Sequence, residues 1–172
     1  MAQRPTHRLN LYVVPDDPER EVSVQAEQDG LAALARLGVT AGRGRPGPRA
    51  ETLIQGGFAL LRVDRPRGPA VYGNRQGGFH VRCPTCNMPL ARPFSGAVRR
   101  WKAGSARQMI CPGCGHVHDL ARLEFAPPAA LGLFALELRD VESPDLTPSG
   151  EVGEALERLL EGPFRVIASR GA

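Results

Sequence analysis

The residues best equipped for chemistry are four cysteines, arranged as Cys83-Pro84-Thr85-Cys86 and Cys111-Pro112-Gly113-Cys114. Two residues between cysteines let one tight turn bring both sulfurs to the same side, and proline after the first presets φ for that turn. Two such turns supply four thiolates, the set a zinc ion takes in a closed tetrahedral site. Asn87 and Gly115 follow the pairs, where such a turn takes positive φ, and they are the residue types that enter it most cheaply. The expected cofactor is one structural Zn2+ held by Cys83, Cys86, Cys111 and Cys114. The alternatives are iron on the same ligands, or a disulfide or dithiol pair. A tetrathiolate leaves no open position for water or substrate, so such a site folds a module rather than catalysing. His80, His116 and His118 flank the pairs as surface or supporting groups, with replacement of a cysteine ligand as the lesser reading.

Residues 83–115 resemble the zinc-ribbon family, in which two knuckles at the ends of β-hairpins clamp one zinc. The resemblance implies the ligand role for all four cysteines. It implies no particular activity, because ribbons serve transcription factors, ribosomal proteins, enzymes and adaptors alike.

Two basic segments are candidate partner-binding sites. Arg99-Arg100-Trp101-Lys102 lies between the cysteine pairs, where arginines can grip phosphates while the indole stacks on a base. The competing reading packs Trp101 into the module's small core. Arg43-Gly44-Arg45-Pro46 resembles the core of the AT-hook, which slips arginines into a narrow minor groove, although the usual basic flanks are missing. The competing reading is a mobile basic loop. Residues 15–21 form an acidic turn, read as a solvated loop. Phosphate loops, nucleophile elbows and helical zinc-protease motifs are absent.

The elements that must position these groups are legible from periodicity. Residues 9–14 alternate as a strand that Pro15 ends, and residues 26–37 carry a helical apolar stripe that Gly38 stops. Residues 58–63 and 134–138 read as strands. Thr147 and Pro148 suit a helix cap and first turn, ahead of an apolar stripe through Val152, Leu156, Leu159 and Leu160. Gly162-Pro163 ends that helix, and residues 164–168 form a last strand. Two strand–helix–strand halves predict an α+β fold, a ferredoxin-like split β-α-β arrangement. Residues 1–78 and 119–172 would form this domain, and residues 79–118 an inserted zinc ribbon.

Composition narrows the function. The 172 residues carry 22 Lys+Arg against 18 Asp+Glu, a formal net charge of +4, and Lys102 is the only lysine. Such mild, arginine-borne basicity is weak evidence for nucleic acid. The first eight residues show no targeting signal and no long apolar run follows, so a bacterial cytoplasmic protein with reduced cysteines is expected. The leading expectation is a non-enzymatic zinc-binding protein that binds a protein partner as an adaptor or immunity-type inhibitor. A nucleic-acid-binding regulator is the alternative, and an enzyme with a site assembled from distant residues the second alternative. The oligomeric state is not encoded in any feature of the sequence.

Overall fold

A computed structural model describes residues 9–170, so the reading of the first eight residues lies outside the described part. The elements run β1 (Leu9–Pro15), α1 (Val24–Arg36), β2 (Leu60–Asp64), β3 (Ala70–Tyr72), β4 (His80–Val81) and α2 (Ala91–Lys102). They continue with β5 (Gln108–Ile110), β6 (Val117–Asp119), β7 (Phe125–Ala126), β8 (Ala130–Gly132), β9 (Ala135–Val141), α3 (Gly150–Leu160) and β10 (Phe164–Arg170). The protein is therefore mixed α+β.

Its largest sheet has the order β10-β1-β9-β2, with every neighbouring pair antiparallel. Strand alternation divides the side chains between its two faces. Leu11, Val13, Leu61, Leu136 and Leu138 point to one face and pack with Leu34, Val152, Leu156, Leu159 and Leu160 of α1 and α3. The two helices cross tightly at Gly30, where an added Cβ would lie 2.3 Å from Leu159 Cβ. Helix α1 begins where Ser23 Oγ accepts from the Ala26 amide, a side-chain N-cap. It ends at Gly38, whose φ of +75° suits glycine.

The expected cap of α3 is corrected. The helix starts at Gly150 behind Ser149, not behind Thr147. The amides of Thr147 and Ser149 instead donate to the carbonyls of Leu53 and Thr52, which ties this stretch to the turn at 50–53 and delays the helix. At the other end Glu161 turns left-handed and Gly162-Pro163 follows.

The opposite face of the sheet is covered by a hairpin-like pair that periodicity had not revealed. Strands β3 and β8 pair antiparallel, and Tyr72 and Ala130 pack on Tyr12, Val14, Ala135 and Ile167. Under this cover Glu137 is only 1 % exposed. Its carboxylate is ion-paired with Arg62, lies 3.3 Å from Arg139 Nε and accepts from Tyr12 OH at 3.5 Å.

A separate apolar cluster builds the cysteine module. Leu90, Phe94, Ala97, Val98 and Trp101 of α2 and its approach meet Val81, Met109, Leu120, Leu123 and Leu131. Helix α2 stands where an all-β ribbon would continue its sheet. Its apolar positions 94, 97, 98 and 101 follow helical spacing and face that cluster. Among the described residues, no helix is long and apolar enough to cross a membrane.

Candidate metal centre

Each cysteine pair forms a turn closed by the same two backbone hydrogen bonds. The Cys83 amide donates to the Met88 carbonyl at 2.9 Å, and the Asn87 amide to the Cys83 carbonyl at 2.8 Å. In the second turn the Cys111 amide donates to His116 and the Gly115 amide to Cys111, both at 2.9 Å. Asn87 and Gly115 take φ of 61° and 74°, the left-handed conformation expected of them. The first cysteine of each turn is buried and the second exposed.

The flanking elements fix the turns against each other. The second turn tips the hairpin β5–β6, in register Ile110↔Val117. The first leaves β4 through a bridge between Arg82 and Pro89, and the Leu90 amide returns to the Val81 carbonyl at 2.9 Å. Helix α2 then carries the chain from one turn to the other.

The four sulfurs all lie within 4.8 Å of one another and form a group that can hold a metal ion. Cys83 Sγ and Cys114 Sγ are 3.7 Å apart, and Cys86 Sγ and Cys111 Sγ 3.6 Å. A tetrahedron with metal–sulfur bonds of about 2.3 Å has edges of about 3.8 Å. The donor set therefore fits zinc in both chemistry and spacing.

Electrostatics within the cluster are uneven. Burial pushes the Cys83 thiol up, but the amides of Cys86 and Thr85, with His118 and Cys111, bring it down to about 5. The Met88 amide favours the Cys86 thiolate, yet burial and the neighbouring Cys111, Cys83 and Cys114 sulfurs push that thiol up to about 12. At Cys114 the His116 amide pulls down, and burial with the Cys83 and Cys111 sulfurs raises the thiol overall. Without a cation, one thiolate discourages its neighbours from ionising. A divalent ion removes that repulsion, at the expense of displaced protons.

One histidine touches this centre directly. His118 Nε2 lies 3.3 Å from Cys83 Sγ, and its ring stacks on His116 at 5.5 Å between centroids. His80 is exposed on β4, paired with Ala126.

The basic segments behave differently from each other. Trp101 is 5 % exposed and belongs to the module's core, so its indole is not offered to a base. Arg99, Arg100 and Lys102 are exposed on the last turn of α2. Arg43 and Arg45 are exposed too, on a segment that folds back on itself. The Ala41 amide donates to the Arg45 carbonyl at 2.7 Å, Arg43 takes φ of 59°, and Thr40 bridges Pro46. A Cβ on Gly44 would stand 2.0 Å from the Leu61 carbonyl oxygen, so this turn is pressed onto β2.

Glu19 was missed in the acidic turn. Its carboxylate accepts from Trp101 Nε1 at 3.3 Å and from the Arg107 guanidinium at 2.5 Å. Arg107 also grips Asp119 with two bonds of 2.8 and 3.0 Å. Nothing in the local pattern at residues 15–21 signals a contact with residues more than eighty positions away. No family model, no curated protein and no solved structure matches this chain.

Proposed function

We propose that this chain is a non-enzymatic zinc-binding protein whose metal module presents a surface to a protein partner, in the manner of an adaptor or an immunity-type inhibitor. Zinc on Cys83, Cys86, Cys111 and Cys114 is supported by the two matched turns and the sulfur spacing. The scaffold reading is a cytoplasmic ferredoxin-like split β-α-β domain carrying residues 79–118 as an inserted ribbon. The strand order β10-β1-β9-β2, with α1 and α3 packed on each other, supports it.

The partner reading rests on one observation: where the exposed apolar side chains lie. Of the four large apolar side chains exposed among the described residues, Val24 lies on α1, and the other three, Met88, Ile110 and Val117, 37, 65 and 56 % exposed, sit on the cysteine turns or their hairpin. Ile110 pairs with Val117 across β5–β6, and Met88 Sδ lies against Gly113 at the tip of the second turn. Apolar groups concentrated on a metal-braced tip are the chemistry of a protein interface. Exposed Arg99, Arg100 and Lys102 on the same module favour nucleic acid as the second reading.

Metal analysis of purified protein tests the first half, with one equivalent of zinc expected and none overturning it. Affinity capture from the native cell, with the Ile110→Asp/Val117→Asp variant alongside, tests the second. A protein captured by the unmodified chain and lost with the variant upholds the partner reading. Nuclease-sensitive material captured instead, equally by both chains, replaces it with the nucleic-acid reading.

A further inference from the structure

An open cavity of about 610 Å3 lies between α2 and the loop at residues 73–79, with no cysteine in its lining. That volume is ordinary for a small-molecule site. Its apolar wall is made by Val71, Phe79, Phe94 and Val98, and its charged lining by Arg75 and Arg99. No carboxylate lines it. Among the described residues neither arginine forms an ion pair, although Arg62, Arg65, Arg107, Arg139 and Arg165 all do.

The wall is preformed. Phe79, Phe94 and Phe125 meet edge to face, with centroids 5.2 to 5.9 Å apart, so each ring fixes the other two. A Cβ on Gly73 would lie 3.0 Å from the Phe79 ring, and glycine there lets that ring close against the backbone. The loop carrying Arg75 is tied down as well. The Arg75 amide donates to Oγ of Ser169, which is 1 % exposed, and the Arg170 amide donates to Asn74 Oδ1. The Arg75 guanidinium rests 5.9 Å from the Tyr12 ring centroid, which steadies it without neutralising it.

An aromatic and aliphatic wall with two uncompensated guanidiniums selects a ligand with an apolar body and one anionic head. We propose that this cavity binds a small amphiphilic carboxylate, its apolar body against Phe79 and Phe94 and its carboxylate held by Arg75 and Arg99. Guanidinium–carboxylate pairing is directional and often two-pronged, so head-group charge should dominate selectivity. The site uses no cysteine and neither Ile110 nor Val117, but Phe94, Val98 and Arg99 stand on α2 of the cysteine module, so it is probed with zinc bound.

Calorimetric titration of the zinc-loaded full chain with naphthalene-2-carboxylate and with decanoate tests it, using naphthalene-2-carboxamide and decanol as uncharged controls. Saturable binding of at least one carboxylate is expected, weakened at least about tenfold in its uncharged counterpart. The Arg75→Gln/Arg99→Gln variant changes only exposed side chains and should lose the carboxylate by a similar factor, with zinc content and melting temperature unchanged. Ser95→Trp, at an exposed lining position of α2, should plug the cavity and abolish both heats. Equal binding of charged and uncharged ligands overturns the proposal. So does undiminished carboxylate binding by the folded arginine variant, or no heat from either carboxylate at millimolar concentration.

Discussion

Around the main sheet, strands of five to seven residues and two helices close Leu, Val, Ile and Phe side chains over one another. The cysteine module works with strands of two and three residues, one helix and a smaller cluster. Strands this short hold few ladder bonds and cannot stand as isolated hairpins. In the sheet, burial of apolar surface is the organising force. In the module, two turns hold four sulfurs at metal distance, and the apolar residues of α2 pack behind them. If the proposed zinc is bound, the difference teaches that one region folds by hydrophobic closure and the other by coordination assisted by hydrophobic closure. The two regions should therefore fail under different insults.

The largest separation should come from removing the metal. Cys111→Ser takes away a buried ligand and should abolish zinc binding, a loss on the order of 10 kcal/mol of coordination free energy. Trp101, the only tryptophan, is buried in the module and should shift its emission to the red, while most far-UV signal from the sheet persists. A variant that retains one equivalent of zinc and an unchanged emission maximum would dissolve the contrast between the regions. Acid should act in the same direction. The Cys86 and Cys114 thiols are raised, so both must release protons when zinc binds, whereas Cys83 is already a thiolate at neutral pH. Affinity should thus climb by at least about a hundredfold per pH unit near neutrality, tenfold for each of these two displaced protons. A pH-independent affinity would contradict that proton count.

The sheet's own weak point is Glu137. Glu137 is buried, but its partners Arg62 and Arg139 are 47 and 41 % exposed and stay hydrated when it is removed, so Glu137→Ala should cost about 2 to 3 kcal/mol in urea unfolding. Zinc stoichiometry should not change. If the variant lost zinc together with stability, the two regions would have to be treated as one cooperative unit.

Glu137 also shows where the sequence stopped being readable. In residues 134–138 alternation assigns it to the solvent side, and the alternation itself is right: Glu137 does point away from the helices. The cover over that face comes from β3 and β8, three-residue strands too short to carry a period, drawn from residues sixty positions apart. The cysteine turns lay at the other extreme. Their ligand spacing, the proline and the positive-φ residue are all local, so the geometry followed from a few neighbouring residues. Helix α2 fell between these cases. Phe94, Ala97, Val98 and Trp101 do repeat at helical spacing, but Pro93 and Gly96 interrupt the pattern, and the surrounding cysteines suggested β-hairpins instead. Pro93 is tolerated because it sits in the first turn, where its missing amide has no helical partner to lose. The two strand–helix–strand halves were legible because strands of five to seven residues and stripes of three turns carry long periods.

A milder change probes the helix layer of the sheet. Gly30→Ala puts a methyl group into the space of Leu159, so α1 and α3 must separate. Overpacking of this kind should cost about 1 to 3 kcal/mol, despite the better helix propensity of alanine. Thermal melting would read the loss, and Trp101 emission in the native state should not move. A stabilised variant would mean that the helices slide apart more easily than their packing implies.

The smallest expected effect tests the seam between the regions. Glu19 stands between β1 and α1, yet its carboxylate is held by Trp101 and Arg107 of the module. Its side chain is 55 % exposed, so Glu19→Gln should cost no more than about 1 kcal/mol. Asp119 contributes on the module side. The Arg107 hydrogen bond holds its carboxyl below the ordinary value, so its stabilisation is present above the unfolded carboxyl range and is lost as pH falls through the depressed value. The informative measurement is a double-mutant cycle with Cys111→Ser. Once the metal is gone, Trp101 and Arg107 are no longer held where Glu19 can reach them, and the cost of Glu19→Gln should vanish. An equal cost in both backgrounds would show that the seam keeps its shape without zinc, and that the module owes more to its apolar cluster than its short strands suggest.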